Sequence, residues 1–161
     1  MGVLMTVSLQ FEQDLETVWN RLQDPDFRVE RSLALGELSA DCEIEDHGDT
    51  LTVHMTREVT RELPSVLAKV FNPKQTLKFV EEWQADGDGW SGTIQITVDG
   101  QPVVLSAEMS LQPKGSGCEY RVSHRCKAKI PLVGGKVEKF VLSQTDSGAV
   151  DELNYLKSDL G

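Results

Sequence analysis

Residues 133–160 read VGGKVEKFVLSQTDSGAVDELNYLKSDL, and the fold follows from what this stretch has to cover. Its residues recur at helical spacing, with Val137, Phe140, Val141, Gln144 and Tyr155 on one side. Leu142, Ala149, Leu153, Leu156 and Leu160 fall on another. The change of face near Ser147-Gly148 predicts a kink or break, because glycine weakens a helix interior. No other part of the chain reads as a long amphipathic helix.

The stretches ahead of it alternate with a period of two. Strands are predicted at Leu38–Glu45, Thr50–Val59, Thr76–Ala85, Trp90–Val98, Val103–Gln112 and Glu119–Ile130. Turn residues join most of them: His47-Gly48-Asp49, Asp86-Gly87-Asp88-Gly89, Asp99-Gly100 and Gly115-Ser116-Gly117. Leu63–Pro73 interrupts the meander as a loop with a helical turn. Further upstream, Val3, Met5, Val7, Leu9 and Phe11 form one face of an opening strand. Asp14 caps a helix carrying Leu15, Val18, Trp19 and Leu22. Asp24-Pro25 starts a second short helix through Phe27, Val29 and Leu33, closing at Gly36. An antiparallel meander has an apolar face that needs a cover, and residues 133–160 supply it. The expected class is α+β, order β-α-α-β6-α: a curved seven-stranded antiparallel sheet gripping a long C-terminal helix, one domain over residues 1–161.

The chain has 161 residues, 26 acidic against 16 basic, a net charge of −10 and 39% hydrophobic residues. A chain of this size buries roughly 70% of its unfolded surface without a disulfide or metal staple. Its overall charge disfavours a general nucleic-acid binder and a protein held on anionic lipid. No apolar run approaches the ~20 residues that span a bilayer. Cys42, Cys118 and Cys126 are odd in number and widely spaced, which reads as reduced thiols in a cytoplasmic protein. Met1–Gln10 has no basic region ahead of a cleavage site; Gly2 and Thr6 fit the loose myristoylation pattern, but Gly2 borders the opening strand. The average charge conceals a local one. From Arg121 to Lys139 there are six basic residues and one acid, a net +5 that leaves −15 for the rest. Arg121, Arg125, Lys127 and Lys129 point outward by parity, as a solvated face or a docking strip for an acidic partner.

Parity also assigns an interior. Leu51, Val53, Met55 and Arg57 share a face, as do Leu77, Phe79, Glu81 and Trp83, and Tyr120, Val122, His124 and Cys126. Arg57, Glu81 and His124 thus interrupt apolar rows, and an isolated buried charge is costly where a hydrogen-bonded pair is tolerated. The expectation is that Arg57 pairs with Glu81. His124, with Tyr120 two residues away, is the candidate for proton transfer because its ordinary pKa lies near neutrality. Cys126 lacks an activating base and reads as packing. Gly92 and Ala107 are small inward residues that leave part of the interior open; a filled core is the alternative.

Several motif matches fail on context. Gly87-Asp88-Gly89-Trp90-Ser91-Gly92 satisfies the dinucleotide fingerprint in letters but leads into a strand, with no helix N-terminus for a pyrophosphate. Asp86 and Asp88 begin like a calcium loop, but Trp90 takes the next ligand position. Gly134-Gly135-Lys136 lacks the rest of a P-loop. His47, His54 and His124 have no metal-ligand spacing, and His54 points outward.

The opening strand into Leu15-Glu16-Thr17-Val18-Trp19, then Asp24-Pro25-Asp26-Phe27, and the final helix after Ile130-Pro131-Leu132-Val133-Gly134-Gly135, together resemble the helix-grip superfamily of START-related and birch-pollen-allergen-like domains and aromatase/cyclases (SRPBCC). The run continuing Lys136-Val137-Glu138-Lys139-Phe140 looks like an uncharacterised bacterial family within it. The resemblance covers essentially the whole chain and implies a hydrophobic cavity for a lipid, a polyketide or an aromatic molecule. The expected wall is Phe79, Trp83, Ile94, Ile96, Met109, Tyr120 and Val122, faced by Phe140, Val141 and Gln144, with Arg57, Glu81 and His124 orienting the ligand. The expected role is non-enzymatic binding or transport, with no cofactor, no metal, no nucleic acid and no stable membrane insertion. The alternatives are an aromatase/cyclase-like or lyase-like enzyme using His124 or Glu81, and a protein-interaction module without a ligand.

Overall fold

The computed structural model describes residues 4–69 and 71–161. Gly2 and the start of the expected opening strand at Val3 lie outside the described residues. The element order is β1 (Leu4–Phe11), α1 (Leu15–Leu22), α2 (Pro25–Ala34), β2 (Ser39–Asp46), β3 (Thr50–Thr60), α3 (Ser65–Ala68), β4 (Lys74–Asp86), β5 (Gly89–Val98), β6 (Val103–Lys114), β7 (Gly117–Ala128) and α4 (Gly134–Leu160). All seven strands form one antiparallel sheet in the order β1-β7-β6-β5-β4-β3-β2. This is the helix-grip architecture. The chain crosses from one sheet edge to the other through α1 and α2, and α4 closes the concave face over β7 and β1.

Local chemistry sets the element ends. Asp14 accepts a hydrogen bond from Thr17 N–H at 2.9 Å, and Asp24 accepts from Asp26 N–H at 3.0 Å with Pro25 opening α2. Asp86-Gly87-Asp88-Gly89 is the hairpin between β4 and β5, and Gly87 takes the left-handed φ of +60° that the tight turn demands.

The inward rows follow strand parity. Leu51, Val53, Met55, Arg57 and Val59 of β3 are buried, as are Phe79, Glu81 and Trp83 of β4 and Val122, His124 and Cys126 of β7. The helices depart from expectation in two ways. First, α2 buries Phe27, Arg28, Arg31 and Ser32, whereas Leu33 is 48% exposed. Two arginines face inward and a leucine faces solvent, because Glu81 of β4 waits opposite Arg28 and Glu152 of α4 opposite Arg31. Second, α4 runs 27 residues through Ser147-Gly148 with no break. A glycine costs about 1 kcal/mol in a helix interior, and α4 is held on both sides of it. Glu138 accepts from Ala128 N–H at 3.0 Å near one end, and Arg21 pairs with Asp159 at the other.

Candidate functional site

Only Val137, Leu142, Leu153 and Leu156 of α4 are buried, so its middle, residues 143–152, places no buried side chain on the sheet. Beneath that middle lie two small spaces. One, about 80 Å³, is bounded by Arg28, Arg31, Arg57, Phe79, Glu81, Ile94, Ile96, Met109, Tyr120, Val122 and His124, with Thr145, Ala149, Glu152 and Leu153 above. The other, about 50 Å³, lies against Phe71, Leu77, Val98 and Leu105, with Phe140, Val141 and Gln144 of α4. Thr145 borders both. Drug-sized ligands occupy roughly 300–1,000 Å³, so both spaces are smaller than such a ligand needs. The open part of the interior expected from sequence is confined to these two spaces. Larger grooves, such as one of about 430 Å³ along Val80, Thr93, Gln95, Ser106 and Arg125, run over the outer sheet face and open to solvent. They lack convergent buried polar groups, so the interior carries the chemistry.

Nine of the expected wall and orienting residues meet at the first space: Arg57, Phe79, Glu81, Ile94, Ile96, Met109, Tyr120, Val122 and His124. Trp83 stands apart among aromatic rings, packed edge-on against Trp19 at 5.2 Å, and donates its Nε1–H to Glu81 at 2.9 Å. Phe140, Val141 and Gln144 belong to the second space.

The expected Arg57–Glu81 pair does not form. In the β3–β4 register Arg57 faces Leu77 while Glu81 faces Val53. The two thus sit four positions apart, about 13 Å along the strands. Glu81 instead receives a two-pronged contact from Arg28, at 2.8 and 3.3 Å, and the Arg28 Nε–H donates to the Leu22 carbonyl at 2.7 Å. Arg57 pairs with Glu37 and Glu152, each at 3.2 Å, and lies over the Phe79 ring at 4.1 Å. Arg31 reaches the same Glu152 carboxylate at 3.2 Å. Three buried guanidiniums and three carboxylates therefore form two groups, Arg28 with Glu81, and Arg31 and Arg57 with Glu152 and Glu37.

Burial opposes every charge here, and the partners decide which survive. For Glu81, the Arg28 guanidinium outweighs burial and holds the carboxyl below its usual range. For Glu152, Arg57 and Arg31 outweigh burial and hold the pKa at about 2. For Arg31, burial wins over Glu152 and lowers the pKa. His124 is lowered by burial, only partly offset by Asp146 and Glu152, and its buried Nδ1 has no hydrogen-bond partner. Burial pushes the Tyr120 phenol well up, so its proton stays, and its hydroxyl donates to the Met109 sulfur at 3.3 Å. Burial likewise raises the Cys118 and Cys126 thiols to about 11, which leaves them inert. Among the described residues no group of three or more His, Cys, Asp or Glu is placed to hold a metal.

Arg28, Arg31 and Glu152 were not anticipated. A signal existed: Arg28 and Arg31 sit at i, i+3 beside Phe27, on the helix face that anchors α2. On the outer face Arg121, Arg125, Lys127 and Lys129 are exposed, as parity predicts. The cross-strand neighbours are Ser8 and Ser110 for Arg121, Leu4 and Ser106 for Arg125 and Val104 for Lys127, so no acid lies directly opposite these three. No described helix is long and apolar enough to cross a membrane.

Solved structures share this fold at low identity. The protein TTHA0849 from Thermus thermophilus superposes with a TM-score of 0.64 at 12% identity, covering 98% of this chain and 97% of that one. A START superfamily protein from Mycobacterium smegmatis gives 0.60 at 10% identity, covering 98% and 96%. Norcoclaurine synthase from Thalictrum flavum, solved in complex with dopamine and hydroxybenzaldehyde, gives 0.56 at 16% identity, covering 99% and 86%. At these identities the likenesses show a shared helix-grip fold. No sequence among the curated proteins matches the chain. A family profile matches residues 6–158, and the chain belongs to that family, described as "Protein of unknown function (DUF2505)".

Proposed function

We propose that this protein binds or transports a hydrophobic small molecule, a lipid, polyketide or aromatic compound, between the sheet and α4 in the cytoplasm. The observation that carries the reading is the unburied middle of α4 over a wall of Phe79, Ile94, Ile96, Met109 and Val122. A helix that only completed a core would fill that space. Each apolar ligand carbon buried there contributes up to ~0.8 kcal/mol. Entry requires α4 to swing outward, and Gly134-Gly135, after Leu132 in a left-handed φ of +70°, is the natural joint. The neighbour solved with dopamine and hydroxybenzaldehyde supports a small-molecule role for such an interior.

Binding fits the site better than catalysis. Glu81 is fully engaged by Arg28 and Trp83, so it is a poor acid or base. His124 favours a second, enzymatic reading, since it is held neutral in the cavity wall with a free nitrogen. Separately, the outer stripe of Arg121, Arg125, Lys127 and Lys129 fits an acidic partner, supported by the lack of acids facing the first three.

Native mass spectrometry of gently purified protein tests the main reading, with Nile red, a neutral apolar dye, as an added probe. The expected result is a co-purified apolar compound and Nile red binding that Ala149→Trp abolishes. A ligand-free protein that leaves Nile red unbound would overturn it.

A further inference from the structure

Arg31 and Arg57 converge on one oxygen. Arg57 donates to Glu152 Oε1 at 3.2 Å, and Arg31 pairs ionically with the same oxygen at 3.2 Å and donates to the Glu152 backbone carbonyl at 3.4 Å, while the buried Nε of each arginine has no partner. The three members of this contact are not equivalent. The side chains of Arg31 and Arg57 are 6% and 7% exposed, whereas that of Glu152 is 24% exposed. The arginines are also held without Glu152: Arg57 by Glu37 and the Phe79 ring, Arg31 by packing over Phe27 at 5.2 Å. Glu152 is the detachable member, and it rides on α4, the element that must move for the cavity to open.

Charge balance then selects the ligand. Arg28 and Glu81 already neutralise each other at short range. A neutral molecule that pushes α4 away strands two buried guanidiniums facing Glu37 alone, which is strongly unfavourable. A dianion brings one charge more than Glu152 removes. A single carboxylate exchanges one for one, with two guanidiniums already placed to receive it.

We propose that the cavity takes an amphipathic carboxylate, a fatty or aryl-alkyl acid, whose carboxylate replaces that of Glu152 between Arg31 and Arg57, so that binding and release of α4 are one event. The inference rests on the cavity reading above and narrows its ligand class. Glu152 is the internal stand-in for the ligand headgroup.

Dodecanoic acid and dodecan-1-ol, which share one chain length, separate the two levels. Their affinities are measured by calorimetry on the wild type, Glu152→Gln and Arg31→Gln, with melting curves to establish folding. The wild type should prefer the acid by about tenfold or more, the worth of a charge-assisted hydrogen bond. Glu152→Gln should tighten the acid and the alcohol alike, by about tenfold, because neither then has to displace a carboxylate from the guanidiniums. Arg31→Gln should abolish the preference; if it does not fold, Glu152→Gln decides alone. Equal affinity for acid and alcohol would overturn this inference and leave the cavity reading standing. So would an affinity for the acid that Glu152→Gln fails to increase. Failure of both compounds to bind would overturn both readings.

Discussion

Two regions on the same concave sheet face are built by opposite rules. Under α1, Trp19 stacks on Trp90 at 4.3 Å and meets Trp83 edge-on, and Trp83 in turn meets Tyr120 at 6.0 Å. Packing there leaves no slack. A Cβ added to Gly92 would sit 2.9 Å from the Trp83 ring and 2.8 Å from the Glu82 carbonyl oxygen. Under the middle of α4, charged side chains line a cavity, and buried polar atoms lack partners, among them Arg31 Nε, Arg57 Nε, Glu37 Oε2 and His124 Nδ1. A Cβ added to Gly148 meets nothing within 4 Å. The aromatic end gains stability from dense apolar contact. Buried ion pairs stabilise little relative to apolar residues of the same size, so stability does not account for the charged middle. The difference separates a filled end of the interior from one that keeps free volume.

The largest way to test this contrast is to break the pair where the two regions meet. Glu81→Gln leaves Arg28 buried without its counter-charge and should cost about 3–5 kcal/mol by denaturant unfolding. The double replacement Arg28→Met with Glu81→Leu should recover most of that loss, because apolar substitution of both partners is often neutral or better. If the single change cost less than ~1 kcal/mol, the middle would be wet, and the charge argument for the ligand would weaken.

A smaller effect compares free volume directly. Gly92→Ala forces its new methyl against backbone and indole and should cost about 1–3 kcal/mol, the usual range for overpacking. Ala149→Leu adds three carbons toward the cavity and should stay within ~1 kcal/mol of wild type. Equal costs would mean that both regions are equally full.

The subtlest effect is in the acid limb of the stability curve. His124 is held below its ordinary value of 6.5, so the unfolded chain takes up the proton first and stability begins to fall as pH drops through 6.5. Glu152, at about 2 against an ordinary 4.5, contributes stability that is present above 4.5 and is lost as pH falls toward 2. His124→Gln should flatten only the upper part of this limb, and Glu152→Gln only the lower part. Urea unfolding followed from pH 7 to pH 3 checks both.

The nine residues that parity placed at the cavity were legible because a strand alternates its side chains strictly. Phe79 and Glu81 of one strand therefore share a face whatever else happens. Helices gave less. A ten-residue helix such as α2 can turn either of two faces inward, and its leucine was the obvious candidate. Arg28 won that face because Glu81, 53 residues later, needed a cation. Phe140, Val141 and Gln144 share one side of α4 by helical spacing, and they line the second space rather than the first. Thr145, Ala149 and Glu152 line the first instead.

The sequence by itself determined the sheet, its inward rows, the covering helix and the presence of titratable residues in those rows at Arg57, Glu81 and His124. Each of those rests on local periodicity, which the backbone enforces within a few residues. Tertiary structure alone decided which charge meets which. Arg57 finds Glu152 across 95 residues and Arg28 finds Glu81 across 53. Such choices depend on strand register and helix rotation, and these are set only when the whole interior must balance its charges at once.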